Sequence, residues 1–255
     1  MSKRQRLMDQ DWGISSSSSS SDNDSSDEEI QDDKIKEQKP CGLFKLPFEI
    51  LSSIFIMTSN PALPVVCNYL YQQLYYCHDS IKISFLLHRS QNNIEKAFEN
   101  AVKFPFFNME MLRRFEKMQP NLRYNDKKIP ARLFLQDPAE TLEERDSIIL
   151  ALLEKGASPN RPKGYPLIKS AQLGRLDQVK LLIRFGADPT VRSNMALRVC
   201  AARNNRAMVD YFLDELNVKP DSETLKACVQ KNLWDMFQVL VDHGAVPDMS
   251  TIDFT

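Results

Sequence analysis

The chain has 255 residues, a formal net charge of −1 and a hydrophobic content of 42%, which allows one or two domains with a real core. The near-neutral charge gives no global attraction to nucleic acid or to an anionic membrane. No apolar run approaches the roughly 18 residues needed to span a bilayer, and the N-terminus lacks the apolar core of a secretory signal. We therefore expect an intracellular protein, cytoplasmic or nuclear, without a nucleic-acid or membrane partner.

Residues 1–38 are dominated by serine and acidic side chains. Ser15 to Ser21 are consecutive serines, and residues 9–33 hold nine acidic residues and no basic one. Such a segment buries too little apolar area to offset its ordering entropy, so it is predicted to be disordered. Ser21, Ser25 and Ser26 each have an acid three residues downstream, which suits acidophilic kinases. Phosphorylation and a plain solubilising tail both remain open.

The composition changes at Leu43, and residues 43–90 are predicted to form a small helical module. Pro47 suits the first turn of an amphipathic helix, and Asn60-Pro61 interrupts it. A second apolar stretch follows, so two or three short helices are expected to pack here. The apolar residues at helical spacing are Leu46, Ile50, Leu51, Ile54 and Phe55, followed by Leu63, Val66, Cys67, Leu70 and Leu74.

Two further helices are predicted between residues 92 and 130. They cover IEKAFENAVKF and MEMLRRFEKM, with Pro105 between them and Pro120 at the end. An irregular helix is expected from Pro130 to Gln136, ahead of an apolar stretch that ends at Gly156-Ala157.

From about residue 139 the chain repeats itself. Leu167 to Gly174 is seven residues and Gly174 to Gly186 is twelve, and Leu225, Asn232 and Gly244 show the same spacing. The copy between them runs through Leu197, Asn204 and Asn217, with one extra residue before the closing turn. Glycine and asparagine are the residues that best tolerate a left-handed turn. The spacing therefore predicts helix pairs whose corners lie at Gly174, Asn204 and Asn232.

The clearest copy, YPLIKSAQLGRLDQVKLLIRFGADPT, resembles the ankyrin repeat. Residues 165–168 stand where that family has Thr-Pro-Leu-His, Ser170-Ala171 are the small residues of its first helix, and Gly186-Ala187-Asp188 closes the unit. The resemblance implies an all-α fold, a short ankyrin-type solenoid over residues 91–255. Because the leading leucines are 30 and 28 residues apart, short of the family's 33, the hairpin fingers should be trimmed. The clear copies are 165–190, 194–221 and 223–248, and the degenerate ones are 92–122 and 129–160.

The stretch Leu43 to Cys77 resembles an F-box, and its combination with ankyrin-type repeats is similar to fungal F-box proteins. The resemblance implies a three-helix module that docks onto a Skp-type adaptor of a cullin-based SCF ubiquitin ligase. A helical cap that shields the first repeat is the alternative reading. The residues that would contact the adaptor are Leu46, Pro47, Ile50, Leu51, Ile54, Phe55, Leu63 and Val66.

The sequence offers no chemistry that would indicate an enzyme, a cofactor or a metal. The cysteines, Cys41, Cys67, Cys77, Cys200 and Cys228, are odd in number and lack a CxxC pair, which favours reduced thiols over disulfides. Cys77 and His78 are adjacent, whereas zinc ligands are usually spaced two to four residues apart. No glycine-rich phosphate loop and no nucleophile with an orienting base can be nominated.

An ankyrin-type stack would present hairpin tips and the ends of its first helices to a partner. These positions hold cations and polar residues but no acid, which favours an acidic or phosphorylated peptide in the groove. The chain's own acidic tail is another conceivable occupant, and a solvated basic face is the simplest alternative. The groove residues are Arg161, Lys163, Tyr165, Arg192, Asn194, Arg198, Arg203, Gln230 and Lys231.

Together these patterns predict a non-enzymatic interaction protein, monomeric within a hetero-complex, that recruits a target to a ubiquitin ligase. The alternative function is an ankyrin scaffold or inhibitor with no link to ubiquitin.

Overall fold

The computed structural model describes residues 42–135 and 141–249, and throughout this part of the chain the regular structure is helical. The predicted acidic tail, 1–38, lies outside the described residues. The only β-type contact among the described residues is an isolated bridge between Lys128 and Ser158. The α-helices are α1 (Phe48–Thr58), α2 (Asn68–Leu70), α3 (Asp79–Arg89), α4 (Ile94–Ala101), α5 (Met109–Met118), α6 (Leu142–Glu154), α7 (Tyr165–Gln172), α8 (Leu176–Arg184), α9 (Val191–Ala202), α10 (Arg206–Asp210), α11 (Ser222–Val229) and α12 (Trp234–Asp242).

Shorter helical turns connect several of these elements. They are of the 3₁₀ type at Gly42–Lys45, Leu63–Val65 and Ala131–Phe134, and of the π type at Tyr71–Tyr75 and Tyr211–Glu215. The 3₁₀ turn Ala131–Phe134 takes the place of the irregular helix expected from Pro130. Gln136, the last residue of that prediction, lies outside the described part.

The chain divides into two compact units, and the first runs to Phe107. Its core is built by α1, α3 and α4, which pack on one another in that order. The rings of Phe55 on α1 and Phe85 on α3 are stacked with their centroids 4.1 Å apart. Both are buried, as is Phe98 on α4, whose ring packs edge-on against Phe107. These contacts explain why α4 belongs to the first unit rather than to the repeats.

The division after Phe107 differs from the expected boundary at residue 91. It passes through the predicted copy at 92–122, because α4 lies in the first unit and α5 in the second. The second unit, from Asn108, contains the three clear copies.

Each clear copy is a pair of helices joined by a tight corner. The pairs are α7 with α8, α9 with α10, and α11 with α12, and α9 packs against both α7 and α11. Consecutive hairpins therefore stack through their first helices. At the same position in each first helix lie Ser170, Cys200 and Cys228, which are small and fully buried, so the helices can approach closely.

The three corners predicted from the spacing are confirmed. Gly174, Asn204 and Asn232 all have positive φ, at 74°, 55° and 55°. The residue after each corner donates its backbone N–H to the buried small residue five positions back, at 3.1, 3.1 and 3.0 Å. This is the bond pattern with which a left-handed residue ends a helix. The three corners thus share one backbone geometry.

The extra residue of the middle copy is absorbed by a π turn. Tyr211–Glu215 continues α10 with a wider turn, and Asn217 then closes the copy at φ 51°. The closing N–H of Val218 reaches the carbonyl of Phe212, whereas Ala187 and Ala245 reach Leu182 and Leu240, one residue nearer in the chain. A π turn accommodates one added residue without breaking the helix, so the buried positions on either side keep their register.

Candidate partner-binding surface

The turns that precede the first helices of the hairpins place several of the predicted groove residues. Lys163 and Gly164 precede α7 and both are left-handed, with φ 48° and 71°. Arg192, Ser193 and Asn194 open α9 with three successive left-handed residues, at φ 58°, 54° and 54°. Non-glycine residues in this conformation each raise the energy by about 1 kcal/mol. The backbone at the start of α9 is therefore strained and must be held by its surroundings.

Two hydrogen bonds hold this strained turn, one to the segment that leads into the third hairpin and one within α9. The side-chain amide of Asn194 donates to the carbonyl of Lys219 at 2.9 Å, and Arg198 donates to the carbonyl of Ser193 at 3.1 Å. Asn194 therefore has a structural role, joining the tip of one hairpin to the start of the next.

Acidic side chains neutralise two of the predicted cations, which corrects the expectation of a groove free of acids. Arg198 lies 3.9 Å from Asp221 and 3.7 Å from Glu223, and its side chain is only 22% exposed. Arg161 forms an exposed ion pair with Asp126 at 2.6 Å. The acids come from other turns of the fold, so the pairing depends on chain packing and not on local sequence.

The sequence did contain one signal for these acids. Asp221 is the N-cap of α11 and accepts the backbone N–H of Thr224 at 2.9 Å, so the capping pattern places an acid at the tip of the third hairpin. No comparable local pattern marks Asp126.

The nine predicted groove residues do not gather in one place. Arg192 opens α9, whereas Arg203 is its C-cap residue, so the helix separates the two. Gln230 and Lys231 lie at the corresponding corner of the third hairpin, and both are exposed. The set therefore divides into a tip edge and a corner edge. Trp234, which was not among the predicted groove residues, lies beside this corner with 52% of its surface exposed.

Tyr165 is half-buried at the start of α7. Its ring meets Phe134 edge-on at 6.1 Å, and burial raises the pKa of its phenol. The ring is therefore part of the packing beneath the tip edge.

The predicted adaptor residues that lie on α1 fall into two stripes, one buried and one more exposed. Leu51 and Phe55 are 1% and 2% exposed and belong to the core, so they are closed to a partner in this conformation. Ile50 is 48% exposed and Met57 72%, with the half-buried Ile54 between them at helical spacing. Pro47 and Val66 are exposed, and Leu46 and Leu63 are half-buried.

Exposed aromatic side chains follow Val66 in the chain, and they were not among the predicted binding residues. Tyr69 and Tyr76 are 41% and 65% exposed. Tyr71 and Tyr75 stack at 4.7 Å, and Tyr76 packs edge-on against both. Exposed aromatic residues are enriched where proteins bind one another, and the run YLYQQLYY could have suggested them.

Three of the cysteines and the histidine noted in the sequence are buried or take part in hydrogen bonds that support the fold. Burial raises the pKa of Cys200 to about 12 and that of Cys228 to about 11. The Cys77 thiol donates to the carbonyl of Leu74, and the His78 ring accepts the N–H of Ser80 at the start of α3. Among the described residues, no group of three or more His, Cys, Asp or Glu side chains is arranged to hold a metal ion.

Within residues 42–135 and 141–249, none of the helices combines the length and the apolar character that a membrane span requires. Comparison with protein-family models, with curated proteins and with solved structures found no match for this chain.

Proposed function

We propose that the chain is a non-enzymatic interaction protein whose second unit is a short ankyrin-type stack that binds a partner protein. The observation that carries this proposal is the repeated corner geometry at Gly174, Asn204 and Asn232. Hairpins that share one backbone geometry and stack through their first helices bury their apolar faces against neighbours and leave tips and corners for binding.

We further propose that the first unit docks onto a Skp-type adaptor, so that the protein recruits its target to an SCF-type ubiquitin ligase in the cytoplasm or nucleus. The stripe Ile50, Ile54 and Met57 supports this, because it lies beside the core stripe Leu51 and Phe55 and leaves Ile50 and Met57 exposed. A helix whose apolar side chains extend beyond its buried stripe has apolar surface to offer a partner. Recruitment would act by raising the concentration of the target near the ligase.

A scaffold or inhibitor without a ligase link is the second candidate. Leu51 and Phe55, which carry much of the F-box resemblance, are core residues. A purely structural helical module would need them for the same reason, so their presence favours neither function.

A pull-down with the purified Skp-type adaptor separates the two candidates. The full-length wild type and Ile50→Asp with Met57→Asp would be compared, with Leu150→Asp on α6 as the matched control, because Leu150 is also an exposed apolar residue, at 36%. We expect the wild type and the control to retain the adaptor and the double variant to lose it while its circular dichroism spectrum is unchanged. Absence of capture by the wild type would leave the scaffold as the function.

A further inference from the structure

Two cations at the tip edge differ from their neighbours in having no acidic partner among the described residues. Within residues 42–135 and 141–249, neither Lys163 nor Arg192 makes an ion pair, and both side chains are exposed. Each belongs to a left-handed turn ahead of a first helix, with φ 48° at Lys163 and 58° at Arg192. The two residues thus hold similar positions in consecutive hairpins.

The two turns are in direct contact. A Cβ added to Gly164 would lie only 2.8 Å from Cγ1 of Val191, because glycine lets the two backbones approach closely. Lys163 and Arg192 are each one residue away from this contact. The packing of the turns therefore brings two unpaired cations to one part of the surface.

The charged groups near these cations are already engaged. Arg161 is paired with Asp126, and Arg198 with Asp221 and Glu223. One carboxylate oxygen of Asp188 accepts both the N–H and the hydroxyl of Thr190. Asp188 keeps its negative charge in these hydrogen bonds but forms no ion pair with either cation. Among the described residues, Lys163 and Arg192 are thus the cations of the tip edge without an ion pair.

We infer that Lys163 and Arg192 form a two-cation clamp for a doubly negative stretch of the partner protein, supplied by neighbouring carboxylates or by one phosphoserine. The inference rests on the proposed function and names the chemistry of the partner that the second unit selects. Charge-assisted hydrogen bonds from a lysine and an arginine suit both sources of negative charge. Arg161 and Arg198 contribute less, because bound acids already offset their charges.

Fluorescence anisotropy of the full-length protein tests the clamp with three peptides of equal length. One carries a run of glutamates, one has glutamines in their place, and one has a single phosphoserine. Lys163→Asn combined with Arg192→Asn removes both charges while keeping residues that accept the left-handed backbone. We expect the double variant to bind an acidic peptide about tenfold more weakly, since two exposed ionic contacts supply about that factor.

Arg184→Gln and Arg161→Gln are the matched controls. Arg184 is an exposed cation on α8 without an ion pair among the described residues, and Arg161 is exposed but paired. We expect both to change the affinity less than about twofold. Equal losses in the controls, or no preference of the wild type for either acidic peptide over the glutamine peptide, would overturn the clamp.

The result is independent of the adaptor pull-down. Loss of peptide binding in the double variant would support the clamp even if the adaptor were not retained. Unchanged peptide binding alongside adaptor capture would reject the clamp and leave the recruiting function in place. The preferred peptide, glutamate or phosphoserine, identifies the source of the negative charge.

Discussion

The imidazole of His243 joins the last hairpin to the one before it through Asp214. Its Nε2 lies 3.0 Å from Oδ1 of Asp214, and its Nδ1 lies 2.8 Å from the carbonyl of Val239. Both partners accept hydrogen bonds, so both ring nitrogens act as donors only when the imidazole is protonated. The bond to Val239 and the bond to Asp214 accordingly raise the pKa of His243 above its usual value of 6.5.

The raised pKa predicts how this contact changes with pH. The stabilisation is fully present below the pKa of the unfolded chain, near 6.5, and is lost as the pH rises through the higher pKa of the folded state. Because the His243–Asp214 pair is exposed, we expect it to contribute a few tenths of a kcal/mol to the free energy of unfolding. The difference in unfolding free energy between the wild type and His243→Gln should be larger at mildly acidic pH than at mildly alkaline pH, as measured by urea denaturation.

Asp214→Asn is the matched variant for the same measurement. If Asp214 acts through the imidazole, the double variant should show no more pH-dependent loss than His243→Gln alone, because removing the imidazole removes its bonds to both Asp214 and Val239. Asp210 also raises the pKa of His243, although it is paired with Arg206 at 2.6 Å, and Glu215 lies 4.0 Å from Lys180. Additive losses would show that His243 and Asp214 act independently.

The corner asparagines predict a second set of stability changes. At Asn204 and Asn232, φ is 55° in both, so alanine should cost about 1 kcal/mol at either corner, whereas glycine should be close to neutral or mildly stabilising. Urea denaturation of Asn204→Ala, Asn204→Gly and the same pair at Asn232 measures both effects. Unlike responses at the two corners would argue against equivalent repeats.

Turn chemistry made these corners predictable from sequence. Gly174, Asn204 and Asn232 are residue types that tolerate positive φ, and their fixed spacing from buried leucines placed them without knowledge of the fold. The π turn at Tyr211–Glu215 had a sequence signal in the added residue, although the sequence did not indicate how the chain would absorb it.

The charges of the candidate surface were less predictable. Whether Arg161 is paired or free depends on Asp126, which packing of distant turns brings to 2.6 Å. The same packing leaves Lys163 and Arg192 without an ion pair in the part of the chain that the structure describes. Helix α3 lies within the helical module predicted for residues 43–90, but its core residues Phe85 and Leu86, which are fully buried, were not singled out. Long-range contacts decide such features, and a single sequence does not encode them in a local pattern.

The contact between Gly164 and Val191 predicts a pronounced effect of one added methyl group. Gly164→Ala would place a Cβ 2.8 Å from Cγ1 of Val191 in a residue with φ 71°. Backbone strain of about 1 kcal/mol and overpacking of about 1 to 3 kcal/mol should add. Gly186→Ala is the control, because its φ is 85° and no atom lies within 4 Å of the added Cβ. The loss of unfolding free energy in Gly186→Ala should therefore come from backbone strain alone.

Adding Val191→Ala to Gly164→Ala then relieves the shortest contact, since it removes both methyl groups of Val191 and leaves only its Cβ, 3.0 Å from the new atom. The unfolding free energy of the double variant should exceed that expected from the sum of the two single changes. Simple additivity would mean that the turns separate at little cost.

A buried polar chain ties the first clear hairpin to α6. The hydroxyl of Ser170 donates to the side-chain oxygen of Gln178 at 2.6 Å, and the Gln178 amide donates to Asp146 at 2.6 Å. Gln178 is 2% exposed, so its amide has no ready access to water. Asp146→Ala should therefore cost about 1 to 3 kcal/mol, the usual penalty for a buried donor left without its partner. Asp177→Ala, one residue from Gln178 but exposed, should change the unfolding free energy by less than about 0.5 kcal/mol.

Urea denaturation of the two alanine variants measures this difference, and Gln178→Met provides a further check. Methionine is unbranched and of similar length, and it removes the buried amide together with its need for a partner. In the Gln178→Met background, Asp146→Ala should lose most of its effect, because no amide donor remains to be orphaned. A full penalty in that background would show that Asp146 stabilises α6 by another route and that the polar chain does not couple the helix to the hairpin.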